Sequence, residues 1–275
     1  MSSVDLEFAA GLADLADELA LARFGALDLH VETKPDLSPV TETDRAIEKS
    51  LRERIAAERP DDSVLGEEEG LSGESRSGGE GGRRWILDPI DGTRNYSRGI
   101  PIFATLIALE LDGEVELGLV SAPALGRRWW AERGKGALRN DAPIRVSGVK
   151  KLEDATMSIG FGHRMAVSGI SRLEDAVVSF ELSEGIERLA PLAARAWHAR
   201  SFGDFWQHML VAEGSVDVAI DPVAKIWDCA PLKLIVEEAG GKFTDLAGRP
   251  VIDGGSGIST NGLLHAEALV ALGVG

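Results

Sequence analysis

The stretch Trp85-Ile86-Leu87-Asp88-Pro89-Ile90-Asp91-Gly92-Thr93 decides how this chain is interpreted. An apolar, strand-like run leads to two carboxylates three residues apart, and a glycine and a hydroxyl residue follow. Pro89 has no N–H for a neighbouring strand, so we expect the chain to leave the ladder there and aim both carboxylates at one point. Gly92 would let a ligand approach the backbone, and a short helix starting near Thr93 would offer free N–H groups to an anion.

Two interpretations of this stretch stay open. Asp-Pro and Asp-Gly are common turn dipeptides, so turn chemistry explains the spacing of Asp88 and Asp91 equally well. Carboxylates for a hard cation, beside N–H groups for an anion, would instead form a site for metal plus phosphate. The rest of the chain has to decide between them.

Composition bounds the class of protein. With 275 residues, 44% of them hydrophobic, the chain can form one large domain or two small ones. The net charge of −16 argues against nucleic acid as the main partner, because phosphate backbones attract basic surfaces. Cys229 is the single cysteine, so no intramolecular disulfide can form. The sequence has no signal-like start and no bilayer-length apolar run, so we expect a cytoplasmic protein without a membrane partner.

The first half predicts helices followed by a large antiparallel sheet. Residues 4–24 form an amphipathic pattern, and a second helix follows a cap at Thr41 or Thr43. A short strand precedes three glutamates at 67–69, and the glycine-rich residues 70–84 are expected to form a mobile loop. Strand-like runs then cover 103–111, 114–121, 127–132 and 137–146, with a hairpin at Asp112-Gly113.

The second half predicts an α/β unit. A composition change near 147–153 suggests a boundary, giving subdomains 1–148 and 149–275. After it we expect strands at 155–160, 195–201, 215–220 and 242–245, and helices around 169–179 and at 204–213, 227–239 and 262–272. Such alternation places ligand groups at strand ends.

Further acidic residues have a structural and a functional interpretation. Asp44 and Asp228 stand where helix caps or dipole partners are expected, while Asp221 ends a strand before a proline. One of the glutamates at 67–69 could join Asp88 and Asp91 around a metal. Cys229 is more easily explained as a small buried residue than as a nucleophile. The histidines lack zinc-type spacing, and no serine-hydrolase elbow is present.

Four blocks in order resemble the inositol monophosphatase family of metal-dependent phosphatases. They are Thr41–Asp44, Gly66–Glu68, Trp85–Thr93, and Trp227-Asp228 followed by Glu238–Gly241. Each block is short, but their joint order spans nearly the whole chain. The resemblance implies a layered αβαβα sugar-phosphatase fold of the α+β or α/β class and suggests a homodimer.

The resemblance also implies roles for individual residues. It implies two or three Mg²⁺ ions per active site, bound by Glu67, Asp88, the Ile90 carbonyl, Asp91 and Asp228. Gly92 and Thr93 would bind phosphate, and Thr93 on Asp44, together with Glu67, would position and deprotonate the attacking water. Lys34 matches a lysine near the metals, displaced by one residue. Positions on the alcohol side of the pocket are matched by Arg200, Gly203, Asp204 and Asp221, with Asp228 nearby.

Within the family, the chain is most similar to the histidinol-phosphate phosphatase branch of actinobacterial type. This finer match is carried by 121–125 with 127–130, and by 203–206 with 211–214. Asp204 and Asp221 would suit a cationic substrate, and Phe205 or Trp206 could stack on an imidazole. An inositol or sugar phosphate stays open as the substrate of the same chemistry. A catalytically silent scaffold stays open as a different class of function.

Overall fold

The computed structural model describes residues 3–35, 38–73, 82–160 and 185–274. Its helices are Val4–Arg23 (α1), Glu42–Glu58 (α2), Thr93–Ser97 (α3), Gly185–Arg195 (α4), Asp204–Ala212 (α5), Ile226–Glu238 (α6) and His265–Ala271 (α7). Its strands are Val31–Thr33 (β1), Pro39–Thr41 (β2), Ser63–Gly66 (β3), Gly70–Ser72 (β4), Arg83–Asp91 (β5), Ala104–Leu111 (β6), Glu114–Ala122 (β7), Arg127–Glu132 (β8), Ala137–Arg139 (β9), Ala142–Ile144 (β10), Thr156–Ile159 (β11), His198–Arg200 (β12), Val218–Asp221 (β13), Lys242–Thr244 (β14) and Gly257–Thr260 (β15).

The large sheet has eight strands in the order β10-β9-β8-β7-β6-β5-β3-β4. The hairpin between β6 and β7 is confirmed, and its turn residues Asp112 and Gly113 both have positive φ, at 52° and 88°. The sheet is mixed rather than purely antiparallel, because β3 runs parallel to β5. That pairing places Gly66, the last residue of β3, beside Leu87 in the middle of β5, which brings Glu67 next to the acidic stretch that begins at Asp88.

The small sheet has five strands in the order β12-β11-β13-β15-β14. β11 is parallel to both β12 and β13, whereas β15 is antiparallel to β13 and β14. The sequence pattern does not predict β15, since this four-residue strand follows the turn-forming run 253–256 and lacks a clear apolar alternation. The mixed α/β character predicted for this half is confirmed.

The two sheets and three helical layers give the expected αβαβα arrangement. One face of the large sheet packs on α1 and α2, around Leu12, Ile47 and Trp85. Its other face packs on α5 and α6. The outer face of the small sheet carries α4 and α7. Because α5 and α6 lie between the sheets, they can supply side chains to a site at the strand ends of both sheets. The predicted division of the chain into 1–148 and 149–275 stays a prediction.

Several local predictions need correction. β5 does not end at Pro89: it continues to Asp91 through a bulge, and Thr105 Oγ donates a hydrogen bond to the Pro89 carbonyl at 2.8 Å. Gly70–Ser72 is a strand and Arg83 already begins β5, so the predicted loop 70–84 is wrong at both of its ends, and its residues 74–81 lie outside the described residues. The run 137–146 is two short strands, and 195–201 begins at the end of α4.

The sequence also predicts two further helices. The helix predicted around 169–179 lies outside the described residues. The predicted short helix at Thr93 is present as α3. Among the residues that the structure describes, no helix is both long and apolar enough to cross a bilayer.

Candidate metal and phosphate site

The bulge in β5 brings the two central carboxylates together. Between Asp88 and Asp91 the strand carries one more residue than its partner β6, where the matching residues are Leu106 and Ala104. The extra residue turns the strand locally, so that the carboxylates of Asp88 and Asp91 face one point instead of alternating. Each offers an oxygen to a cluster completed by Asp228, in which all three oxygens lie within 4.8 Å of one another.

Asp228 both caps a helix and belongs to the acidic cluster, so its structural and its functional interpretation hold together. It stands in the first turn of α6, where its Oδ2 accepts the backbone N–H of Lys225 at 2.7 Å. The same carboxylate belongs to the cluster of three. The helix cap therefore fixes the side chain that the cluster uses.

The cluster is electrostatically unfavourable by itself. Burial, followed by the charges of Glu67, Asp91 and Asp228, raises the pKa of Asp88 well above its usual value. Burial, followed by the charges of Asp204 and Asp228, does the same to the pKa of Asp91. Burial is also the main cause that raises the pKa of Asp228 to about 7. A bound cation would reverse this, because opposite charge favours the ionised form.

The donor set fits a hard divalent cation. Asp88 Oδ1 is buried and has no hydrogen-bond partner among the described residues, which is a costly state for a carboxylate oxygen. The Ile90 carbonyl and Glu67 line the same cavity as the cluster. Oxygen-only ligands of this kind suit Mg²⁺, which also keeps waters or substrate phosphate in its shell.

Glu67 reaches the cluster from the end of β3. Its backbone N–H donates to the Leu87 carbonyl at 3.2 Å, and its Oε1 lies 2.8 Å from Lys34 Nζ. Lys34 also pairs with Glu68 at 2.6 Å. Burial opposes the charge on Lys34, but the two carboxylates outweigh it and raise the lysine pKa. Lys34 is thus near the acids, as predicted, and Glu68 is a neighbour that sequence analysis did not single out.

Asp44 and Thr93 form the predicted pair. Thr93 Oγ lies 3.1 Å from Asp44 Oδ1 and 2.9 Å from the Ile90 carbonyl, so its proton can go to either oxygen. Asp44 Oδ2 accepts the N–H of Thr41 at 2.8 Å in a capping box at the start of α2. Burial raises the pKa of Asp44 to about 6, partly offset by these hydrogen bonds. The cap and the link to Thr93 use different oxygens of one carboxylate.

Gly92 is required by close packing at the site. It has φ of 82°, and a Cβ there would lie 2.9 Å from the Ile102 carbonyl. It precedes α3 and lines the cavity, as does Thr93. Gly203 also has positive φ, at 76°, and it is the N-cap residue of α5. The N–H of Phe205 in this first turn donates to Asp91 Oδ2 at 2.6 Å, which ties α5 to the cluster.

Two further acids, Asp204 and Asp221, line the same cavity. Asp204 Oδ2 accepts a hydrogen bond from Asn95 at 3.0 Å, and burial followed by the charge of Asp221 raises its pKa to about 6. Asp221 Oδ1 accepts from Gln207 at 2.6 Å, while Asp221 Oδ2 lies 2.7 Å from His208 Nε2. A Cβ at Gly160 would overlap Asp221 Oδ1, so the absence of a side chain there leaves room for the carboxylate.

All these groups surround one cavity of about 740 Å³, a size suited to a small metabolite. The predicted residues that line it are Lys34, Glu67, Asp88, Ile90, Asp91, Gly92, Thr93, Gly203, Asp204, Asp221 and Asp228. Asp44 is buried behind Thr93.

Two predicted contributors, Arg200 and Trp206, do not line the cavity. Arg200 is exposed on the edge strand β12 and is not among the cavity residues. Trp206 packs against Phe202 within the core between the sheets, with ring centroids 5.6 Å apart. Phe205 touches the cavity but is buried beside Trp129. Phe202, which sequence analysis missed, lines the cavity and is the better placed aromatic ring.

Comparisons with known proteins agree with this geometry. The family model described as the inositol monophosphatase family matches residues 2–272. A protein of Mycobacterium tuberculosis named histidinol-phosphatase is 47% identical, with 100% of each chain covered. A Streptomyces coelicolor protein of the same name is 45% identical over 96% of this chain and 95% of that one.

A solved structure supports the same conclusion. The extragenic suppressor protein suhB from Bartonella henselae superposes with a TM-score of 0.85 at 30% identity, covering 98% of both chains. The shared fold, the matched family model and the convergence of the acidic blocks in one cavity all point the same way: this chain belongs to the inositol monophosphatase family.

Proposed function

We propose that this protein is a Mg²⁺-dependent phosphomonoesterase that hydrolyses L-histidinol phosphate to L-histidinol and phosphate. The observation that carries the metal-dependent chemistry is the cluster of buried Asp88 with half-buried Asp91 and Asp228, beside the Asp44–Thr93 pair; one oxygen of Asp88 has no hydrogen-bond partner among the described residues. A silent scaffold has no use for such a cluster, because the carboxylates repel one another and their burial is costly.

The metal would be bound by Glu67, Asp88, the Ile90 carbonyl, Asp91 and Asp228. Mg²⁺ there would lower the pKa of a bound water and offset the charge of the phosphoryl group. We infer two or three ions per site from the family resemblance.

The chain's own residues would prepare the attacking water. When the Thr93 hydroxyl donates its hydrogen bond to Asp44 Oδ1, the lone pairs of the hydroxyl oxygen are free to accept a hydrogen bond from water. Asp44, with a pKa of about 6, is mostly ionised at neutral pH and can take up a proton through Thr93. Glu67 would hold the same water from the other side. Backbone N–H groups at Gly92 and Thr93 would bind the phosphate oxygens.

The choice of substrate rests on the relatives and on charge. Two relatives at 47% and 45% identity carry the name histidinol-phosphatase. Asp204 and Asp221 give their part of the cavity negative charge, which suits the amine of histidinol phosphate. Phe202 could contact the imidazole. An inositol or sugar phosphate is a second candidate, because Asp221 could equally accept a hydrogen bond from a hydroxyl group.

The wider setting follows from this proposal. We infer a role in histidine biosynthesis, in the cytoplasm, as a homodimer. The family resemblance supports the dimer, and the single cysteine, Cys229, fits a reducing compartment. Histidinol phosphate is a small phosphomonoester, so neither nucleic acid nor membrane is needed as a partner.

The test is Mg²⁺-dependent phosphate release from L-histidinol phosphate, myo-inositol-1-phosphate and fructose-1,6-bisphosphate, measured side by side with a chelator control. We expect a strong preference for histidinol phosphate that chelation abolishes. Preference for an inositol or sugar phosphate would keep the metal site and discard the substrate. Absence of turnover on all three would favour an untested phosphate or the scaffold.

A further inference from the structure

A charged pair is buried in α2 behind the metal ligand Glu67. Glu48 has no exposed surface and Arg52 is 8% exposed, although both are charged residues of a surface helix. Glu48 Oε1 accepts hydrogen bonds from Arg52 Nε at 2.9 Å and Arg52 Nη2 at 2.8 Å. Neither residue touches the cavity, so the chemistry proposed above does not use them directly.

Glu48 also binds the backbone of the turn that carries Glu67. Its Oε2 accepts the N–H of Glu68 at 2.8 Å, and its Oε1 accepts the N–H of Glu69 at 2.9 Å. The N–H of Glu67 itself is bound by the Leu87 carbonyl of β5. Three consecutive backbone N–H groups are therefore fixed, and two of them are held by one carboxylate.

The rest of the turn is tied to the same pair. Arg52 donates to the Gly70 carbonyl and to Ser72 Oγ on β4, at the far side of the turn. On the near side, a Cβ at Gly66 would overlap Glu48 Oε1. Gly66 does not have positive φ, so this close approach, not backbone conformation, explains the glycine.

We propose that Glu48 and Arg52 are positioning residues that hold the turn 66–70 so that Glu67 points at Asp88 and the metal. Stability alone does not explain a buried ion pair, because an apolar pair of similar volume is often as stable or more so. An apolar pair could not bind the N–H groups of Glu68 and Glu69, and the direction of Glu67 depends on them. This inference rests on the proposed metal site.

Calorimetric titration with Mg²⁺ alone tests the inference without using the substrate. We expect Glu48→Gln to weaken Mg²⁺ binding about 10- to 100-fold, as is common when residues that orient metal ligands are changed. The glutamine amide would present N–H donors to a turn that needs acceptors. Glu53→Gln on the same helix is the matched control, because Glu53 is largely exposed, and its affinity should equal that of the wild type.

Gly66→Ala provides a second variant that leaves both charges in place. Its methyl group would push the Glu48 carboxylate away from the turn, and we expect Mg²⁺ affinity to fall about 10-fold. The far-ultraviolet circular dichroism spectrum, which reports the secondary structure, should be unchanged. If Glu48→Gln does not fold, Gly66→Ala decides. Wild-type affinity in a folded variant of either kind would overturn the positioning role. Absence of Mg²⁺ binding by the wild-type protein would overturn the metal site, and this inference with it.

Discussion

Asp91 and Asp221 are carboxylates of one cavity, but their surroundings are opposite. Asp91 is half-buried and lies among other acids, and its Oδ2 accepts the N–H of Phe205. Asp221 has a neutral amide donor on one oxygen and His208 on the other, and His208 is held in turn by Ser259 at 2.7 Å. The ionised form of Asp91 would be stabilised by a bound cation, because the neighbouring acids disfavour it. Asp221 already has hydrogen-bond partners in the protein on both of its oxygens. We propose that the wall of the cavity at Asp91, the metal wall, binds metal and that the wall at Asp221 binds a substrate group.

The largest effect on activity should come from a substitution in the metal wall. Asp91→Asn should lower kcat/KM on the order of a thousandfold, because it removes a charged ligand at the centre of the cluster. The fold should survive, since the change relieves repulsion with Asp204 and Asp228. Phosphate release and the thermal midpoint without Mg²⁺ measure the two effects. Asp61→Asn, at an exposed position, is the control, and undiminished turnover in Asp91→Asn would refute the metal assignment.

A smaller and selective effect should come from the other wall. Asp221→Ala should reduce kcat/KM for histidinol phosphate about 10- to 100-fold, the value of a hydrogen bond to a charged group. An uncharged alcohol phosphate should lose much less, because a hydroxyl group lacks the positive charge that strengthens the hydrogen bond of the amine to Asp221. The ratio of the two losses is the measurement. Equal losses on both substrates would mean that Asp221 does not recognise the amine.

The metal wall should also respond to pH. Burial raises the pKa of Asp228 to about 7, so protons compete with Mg²⁺ below that pH. We expect Mg²⁺ affinity to fall up to about tenfold per pH unit below neutrality. An affinity that is the same at about pH 6 and about pH 8 would contradict the unfavourable charge of the cluster.

Without metal, the stability of the folded protein should fall as the pH rises, whereas Mg²⁺ affinity should increase. Because the folded-state pKa of Asp228 lies above its unfolded value, the folded protein binds protons more tightly than the unfolded chain. This contribution to stability is present at low pH and is lost as the pH rises through about 7. The thermal midpoint in chelator should therefore fall between about pH 4 and about pH 7, and Mg²⁺ should reverse the fall.

The smallest effect is expected at Arg200. Its side chain is exposed on β12 and does not line the cavity of this chain. Arg200→Ala should change kcat/KM by less than about twofold, as is usual for exposed positions. Steady-state kinetics on histidinol phosphate provides the check. A loss of tenfold or more would show that Arg200 reaches a site in some other way, such as from a second copy in the proposed homodimer.

Local sequence was a good guide wherever the chemistry is local. The hairpin at Asp112-Gly113, the short helix after Gly92 and the cap at Thr41 follow from backbone preferences of a few residues. It was a poor guide at Pro89, where a bulge absorbs the missing donor and the strand continues. It also missed Glu48 and Arg52, although both stand at helical spacing from Asp44 on a buried face, which was a readable signal.

The sequence by itself determined the residue types of the site, because a set of acids in four ordered blocks fixes the ligand chemistry whatever the exact path of the chain. It also determined the αβαβα class through the family resemblance. Only the tertiary structure decided which acids meet, which oxygens are already bonded and which residues stand outside the cavity, as with Arg200 and Trp206. Those outcomes depend on contacts between elements far apart in the chain, such as Asp91 with the first turn of α5 and Glu48 with the turn at Glu67. Local pattern carries no information about such distances.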